Sequence, residues 1–229
     1  MILSIIVPVY NEETTIKRVL TKIIKKNFGI KKEVIVVNDG SKDSTGAILK
    51  KLKYPNLKVI SYTVNQGKGY AIRKGIERAR GSIVAIQDAD LEYNLDDLKK
   101  IVKTYMGKNL EVVYGSRFLE KNDNYVINSF YVGNRLLSLL TSLLYFKKIT
   151  DMETCYKVFK KDVLKGIKLK CNRFDFEPEF TSKILKKGIK ITEIPIGYNP
   201  RTKKQGKKIK WRDGLIAVRV LLRERFSSL

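Results

Sequence analysis

Residues 1–39 read MILSIIVPVYNEETTIKRVLTKIIKKNFGIKKEVIVVND, and the alternation inside this stretch decides the fold. Ile2–Val9 and Glu33–Val37 are short apolar runs rich in β-branched residues, the composition of strands buried on both faces. Glu12–Lys26, between them, reads as a helix. The pattern then repeats. Leu57–Ile60, Ile83–Ile86 and Glu111–Tyr114 read as further strands, and Asp43–Lys53, Gly69–Ala79 and Leu95–Tyr105 as further helices. Strands alternating with helices predict an α/β fold with a mostly parallel sheet and right-handed crossovers. Ligands of such sheets bind outside the carboxyl ends of the strands, so the loops that follow the strands are where chemistry is to be sought.

The second half changes character. Ser129–Phe146 reads as a leucine-rich helix, Cys155–Phe159 as a strand, Glu177–Lys187 as a helix with Pro178 in its first turn, and Ile189–Ile194 as a strand. A polar run rich in lysine, Tyr198–Lys210, precedes a last helix, Trp211–Phe226. On that helix Trp211, Leu215, Val218, Leu222 and Phe226 recur at helical spacing, and Arg212, Arg219 and Arg223 share another face. No linker is readable. The expectation is one domain over residues 1–229, with a ligand-binding half at 1–118 and a second half at 119–229 that ends in a basic amphipathic extension.

The chain has 229 residues and a formal net charge of +24, so an anionic partner is expected: nucleic acid, an acidic membrane surface or a phosphorylated small molecule. There is no histidine, which excludes Ser-His-Asp catalysis, a histidine base and histidine metal ligands. Any metal must be held by oxygen, which favours Mg2+ or Mn2+. Cys155 and Cys171 form neither a zinc pattern nor a disulfide framework, and a reducing cytoplasm fits. Met1–Val9 lacks the basic start of a signal peptide and reads as a strand. No uncharged run approaches the roughly 18 residues of a membrane span. No helix-turn-helix, RRM or KH pattern supports a nucleic-acid partner, and paired carboxylates would repel phosphates without a metal.

Four loops carry candidate chemistry. Pro8-Val-Tyr10-Asn11-Glu12 follows the first strand; it can end the strand and cap a helix through Asn11, or form a platform for a nucleotide base. Asn38-Asp39-Gly40-Ser41-Lys42-Asp43-Ser44-Thr45 follows the second; it is a turn with a capping residue, or a place where Asp39 accepts a hydrogen bond from a base or ribose. Asn65-Gln-Gly67-Lys68-Gly69 follows the third, and its glycines let backbone amides approach an anion. Asp88-Ala-Asp90 follows the fourth. Two carboxylates one residue apart at a strand end can turn toward one cation, and Glu92 can add an oxygen.

In this order the stretches resemble glycosyltransferase family 2, in particular its polyprenyl-phosphate, dolichyl-phosphate mannose synthase-like branch. The resemblance continues through Gly115-Ser116-Arg117-Phe118 and Asp151-Met-Glu-Thr-Cys-Tyr-Lys157 into the tail from Tyr198 to Phe226, nearly the whole chain. The chain departs from the family's frequent Asp-Asp at Asn38-Asp39, and from D-x-x-S-G-F-R at residues 151–157. The resemblance implies a GT-A fold and an inverting transfer of a hexose (mannose, glucose or N-acetylglucosamine) from a GDP- or UDP-sugar. It implies that Pro8, Tyr10, Glu12 and Asp39 hold the nucleoside, that Lys68 lies near the donor, and that Asp88 and Asp90 hold the diphosphate through Mg2+ or Mn2+, with Glu92 a further possible ligand. Asp90 and Arg117 are then the expected catalytic pair, with Arg117 near the acceptor phosphate.

A phosphate acceptor needs no general base, because the second pKa of a phosphomonoester is about 6. Asp151 and Glu153 are the candidate bases for a hydroxyl acceptor. The expected acceptor is polyprenyl (dolichyl) phosphate. The expected location is peripheral, on the cytoplasmic face of an anionic membrane, held by the stretch Arg201–Lys210 and the last helix.

Overall fold

A computed structural model describes residues 1–120, 129–201, 208 and 211–227. Its centre is a seven-stranded sheet in the order β3-β2-β1-β4-β6-β5-β7. These strands are β1 (Leu3–Val9), β2 (Lys32–Asp39), β3 (Leu57–Tyr62), β4 (Ile83–Ile86), β5 (Val112–Ser116), β6 (Lys157–Lys160) and β7 (Ile191–Pro195). All pairings are parallel except the two made by β6, which lies antiparallel between β4 and β5. The helices are α1 (Ile16–Lys25), α2 (Thr45–Lys51), α3 (Lys68–Arg78), α4 (Leu95–Gly107), α5 (Ser129–Tyr145), α6 (Phe176–Lys186) and α7 (Trp211–Phe226).

Every residue of β1 is buried, as a central parallel strand requires. Helix α1 covers the sheet with Ile16, Val19, Leu20 and Ile23, one face at 3.6-residue period. Helix α3 comes close enough to β1 that a Cβ on Gly75 would stand 2.4 Å from Cγ2 of Ile6; only glycine permits that approach. Strand β3 departs from the sequence reading. It lies at the sheet edge and is only partly buried, because only β2 pairs with it.

The order of the strands creates the site. The chain steps outward from β1 to β2 to β3, then returns to β4 on the other side of β1. A crevice opens at such a switch point, outside the carboxyl ends of the strands. The loops after β1, β2 and β4 meet there. Strand β7 runs parallel to β5, so the segment that follows Pro195 also emerges at this edge.

Helices α5 and α7 pack beside α6, which is buried on nearly all sides. Their own orientation is unusual. Helix α5 turns Leu137, Ser138, Thr141 and Tyr145 inward and leaves Val132, Leu136, Leu139 and Leu143 exposed, with Phe146 just beyond. Two of the inward hydroxyls are satisfied locally: Ser138 and Thr141 donate to the carbonyls of Asn134 and Leu137, both at 2.8 Å. Helix α7 buries Ala217, Val220, Leu221 and Glu224 and exposes Trp211, Leu215, Leu222 and Phe226. Val218 belongs to the stripe expected from the sequence but packs against the core. No helix among the described residues is long and apolar enough to cross a membrane.

Candidate active site

One cavity of about 420 Å³ occupies the crevice. The loop after β1 contributes Pro8, Tyr10 and Glu12, the loop after β2 contributes Asp39, and the start of α3 contributes Lys68. The loop after β4 contributes Asp88, Asp90 and Glu92, and Arg117 follows β5. All the residues singled out as site residues in the sequence therefore line the same space.

The loops are locked to one another by backbone hydrogen bonds. Asn11 does not cap α1, which begins four residues beyond Glu12 at Ile16. It adopts a positive φ of 50°, donates its backbone N–H to Ser41 Oγ at 2.9 Å, and its Oδ1 accepts from the Lys42 N–H at 2.8 Å. Asp39 is 2% exposed and organises the third loop: Oδ1 accepts from the Gln66 N–H at 3.0 Å, and Oδ2 accepts from Asn65 Nδ2 at 2.8 Å and the Gly67 N–H at 2.6 Å. Gly67 has φ of +112°, and a Cβ there would stand 2.4 Å from the carbonyl oxygen of Asn172. Asp39→Asn removes the charge from these bonds, each charge-assisted bond being worth about 1.5–3 kcal/mol. If this loop holds the donor nucleoside, as the resemblance implies, the expected result is a donor KM raised at least about tenfold with kcat changed far less, because such a contact serves ground and transition states alike. Initial-rate kinetics check this, and a kcat loss at unchanged KM contradicts it.

At one end of the cavity acidic groups crowd together. Lys68 Nζ stands 2.9 Å from Asp88 Oδ1 and 3.4 Å from Glu177 Oε1. Burial works against the Asp88 carboxylate, but Lys68 outweighs it and holds the group below its usual range. Asp90 is pushed the other way, up to about 7, by burial first and then by Asp88 and Glu92. The counter-charge it does have is Arg201. That guanidinium reaches Asp90 Oδ2 at 2.8 Å, Glu12 Oε2 at 3.1 Å and Glu92 Oε1 at 3.4 Å. Glu92 also accepts from the Tyr198 hydroxyl at 2.8 Å. Lys208 adds an ion pair to Glu12 at 2.8 Å and lies over the Tyr10 ring.

Arg117 lines the same cavity, is 6% exposed and is held in a two-toothed pair by Asp151, Nε and Nη2 each at 2.7 Å. Asp151 is wholly buried and also accepts the Arg117 backbone N–H at 2.9 Å. Its oxygens are committed to the arginine, and it is not placed to serve as a base.

Arg201 and Lys208 were read from the sequence as part of a surface run. The structure turns both into the cavity; residues 202–207 and 209–210 of that run lie outside the described residues. The signal that could have found Arg201 is the parallel direction of β7, which delivers the following segment to the ligand edge. Among the described residues no three acidic or thiol groups converge on a point that a metal could occupy. A hard cation such as Mg2+ commonly takes only one or two protein carboxylates and fills its octahedron with substrate phosphates and water. The Asp88-Ala-Asp90 pair, two carboxylates now facing Lys68 and Arg201, fits that mode.

Residues 4–168 match the family described as Glycosyl transferase family 2. The chain belongs to glycosyltransferase family 2. A dolichyl-phosphate beta-glucosyltransferase of Trichomonas vaginalis is 32% identical over 214 residues, covering 86% of this chain and 65% of that protein. The chain thus spans about two thirds of that relative's length. A UDP-N-acetylglucosamine–dolichyl-phosphate N-acetylglucosaminyltransferase of Methanococcus voltae is 32% identical over 217 residues, 85% of this chain and 84% of its own. Among solved structures, mannosyl-3-phosphoglycerate synthase from Rubrobacter xylanophilus superposes with a TM-score of 0.77 at 17% identity, over 100% of this chain and 77% of that one. Glucosyl-3-phosphoglycerate synthase from Mycobacterium tuberculosis, crystallised with Mn2+, UDP and phosphoglyceric acid, gives 0.74 at 17% identity over 99% and 79%. These likenesses show the fold, and the family member described here has the GT-A architecture its sequence implied.

Proposed function

We propose that this family 2 glycosyltransferase moves a hexose from a nucleotide-sugar to a polyprenyl phosphate at an anionic membrane surface. The observation that carries the reading is one cavity lined by both the Asp88-Ala-Asp90 pair and the buried Arg117. Pro8, Tyr10, Glu12 and Asp39 hold the nucleoside side. Asp88 and Asp90 hold Mg2+ or Mn2+ with the donor diphosphate, Glu92 being a third oxygen once Arg201 withdraws. The bound metal supplies charge stabilisation for the departing nucleoside diphosphate. Arg117, preset by Asp151, orients the acceptor phosphate, which arrives largely ionised and needs no base. The dolichyl-phosphate acceptors named for the relatives support this acceptor class. A screen of GDP-mannose, UDP-glucose and UDP-N-acetylglucosamine against a short polyprenyl phosphate with Mn2+ tests it. Product with one donor is expected; product only with a soluble sugar hydroxyl would replace the acceptor.

The membrane side of the reading rests on α5 and α7. Two adjacent helices each present apolar side chains outward, with Arg135, Lys147, Lys148, Arg212 and Arg219 exposed around them. Exposed apolar patches of this kind mark interaction surfaces, and basic residues near anionic lipid contribute about 1 kcal/mol each. The chain is expected to float with vesicles containing phosphatidylserine at low salt and to be released progressively as salt rises. Leu139→Glu with Leu143→Glu, both on the exposed stripe, is expected to abolish flotation without lowering the melting temperature. Undiminished flotation of that double variant counts against this surface.

A further inference from the structure

Glu153 is a half-buried residue whose carboxyl the reaction as described leaves unused. It sits two residues after Asp151, which clamps Arg117, and two residues before Cys155, which lines the same cavity as Asp88. This short segment thus brings Glu153 and Cys155 into the lining of the cavity that also holds Arg117 and Asp88. Under the donor reading above, a sugar carried on a diphosphate at Asp88 and Asp90 enters this same cavity.

Glu153 Oε1 is shielded from solvent and has no hydrogen-bond partner. A buried polar atom without a partner costs stability and calls for an explanation. The nearby cations are engaged elsewhere. Lys157 is paired with Glu177 at 2.6 Å and bonded to the carbonyls of Met152 and Thr154, and Arg117 is paired with Asp151. Burial, reinforced by Glu177, pushes the Glu153 carboxyl up to about 8. In neutral solution it is therefore largely a neutral acid that can both donate and accept, which matches the donor and acceptor capacity of a sugar hydroxyl.

We propose that Glu153 reads the transferred sugar, its carboxyl bonding hydroxyls of the hexose and so deciding which nucleotide-sugar is accepted. This rests on the donor reading above. The test is calorimetric titration with Mn2+ of UDP-glucose, UDP-N-acetylglucosamine and GDP-mannose, each beside its bare diphosphate, UDP or GDP. For the donor that the wild type binds, E153A is expected to weaken the sugar nucleotide about tenfold relative to its bare diphosphate, the loss of one buried hydrogen bond. The bare diphosphate should bind as in the wild type, which also reports that the variant is folded. E153D, which withdraws the carboxyl by one methylene at little cost in packing, is expected to show the same selective loss. E153Q, which keeps a donor and an acceptor, is expected to retain binding and turnover. Equal weakening of both ligands, or of neither, overturns the proposal. So does an E153Q enzyme that binds normally and does not turn over, because that pattern marks a base. If the wild type binds none of these nucleotides, the donor reading itself falls, and this inference with it.

Discussion

Asp90→Asn is expected to lower kcat/KM for sugar transfer by about two to three orders of magnitude while the empty protein melts no lower than the wild type. Asp90 is 8% exposed and, with Asp88, would hold the cation that meets the donor diphosphate. Losing a preorganised electrostatic group at the site where charge develops typically costs a factor of about 10²–10³. Asp88→Asn should match it in rate. The stability half follows from the sign of the Asp90 shift. Its carboxyl titrates at about 7 in the folded chain, above the ordinary value of 3.8. An acid whose folded-state pKa is raised costs the fold stability above the unfolded pKa, and that penalty reaches its full size above the folded one. At pH 8 asparagine relieves it, against the loss of one arm of Arg201. Mn2+ titration of initial rates and a melting curve at pH 8 check both halves. Turnover near the wild-type level, with unchanged Mn2+ dependence, removes the metal role from Asp90.

Much of this site was legible because its residues follow strands. A β-branched run announces a buried strand, and the strand's end announces the ligand edge, so Asp39, Asp88 and Asp90 could be placed together before any coordinates. Helix α7 was read with its observed bounds, Trp211–Phe226, from apolar periodicity alone. What was not legible depends on order in space. Strand β6 inserts between β4 and β5 although it follows β5 by some 40 residues in sequence, and nothing local encodes its antiparallel direction. The leucines of α5 could be read from the sequence either as core or as part of a membrane-facing surface. Leu136, Leu139 and Leu143 face outward while Ser138 and Thr141 turn inward, and hydroxyls bonded to their own helix are cheap to bury. Arg201 was hidden in a lysine-rich stretch that read as a membrane-holding segment, and its ion pairs to Glu12 and Asp90 span 189 and 111 residues of sequence.

Lys157 is the clearest case of a residue whose importance only packing reveals, and its removal is expected to be the most damaging to stability. It is one of 47 basic residues in the chain, yet it is 0% exposed. Its ammonium lies 2.6 Å from Glu177 Oε2, donates to the carbonyl of Met152 at 3.2 Å and to that of Thr154, and sits 4.7 Å from the centre of the Tyr114 ring. Glu177 in turn reaches Lys68, and Lys68 reaches Asp88, so the network ends at the candidate metal site. Breaking a buried ion pair from one side strands the other charge, at about 3–5 kcal/mol. Lys157→Met keeps most of the volume and removes the charge. Against a total stability of about 5–15 kcal/mol for a typical domain, that loss is a large fraction. Urea denaturation should show a clearly lower midpoint with an unchanged m-value. Adding Glu177→Gln removes the stranded charge and should recover a substantial part of the loss, because a buried pair as a whole is close to neutral in stability. The double variant should nonetheless be slow in transfer, since Lys68 loses one of its two carboxylates and with it part of its hold beside Asp88. A Lys157→Met chain as stable as the wild type would mean that Glu177 finds another partner. A double variant no better than the single would mean that packing around Tyr114, rather than charge, is what Lys157 supplies.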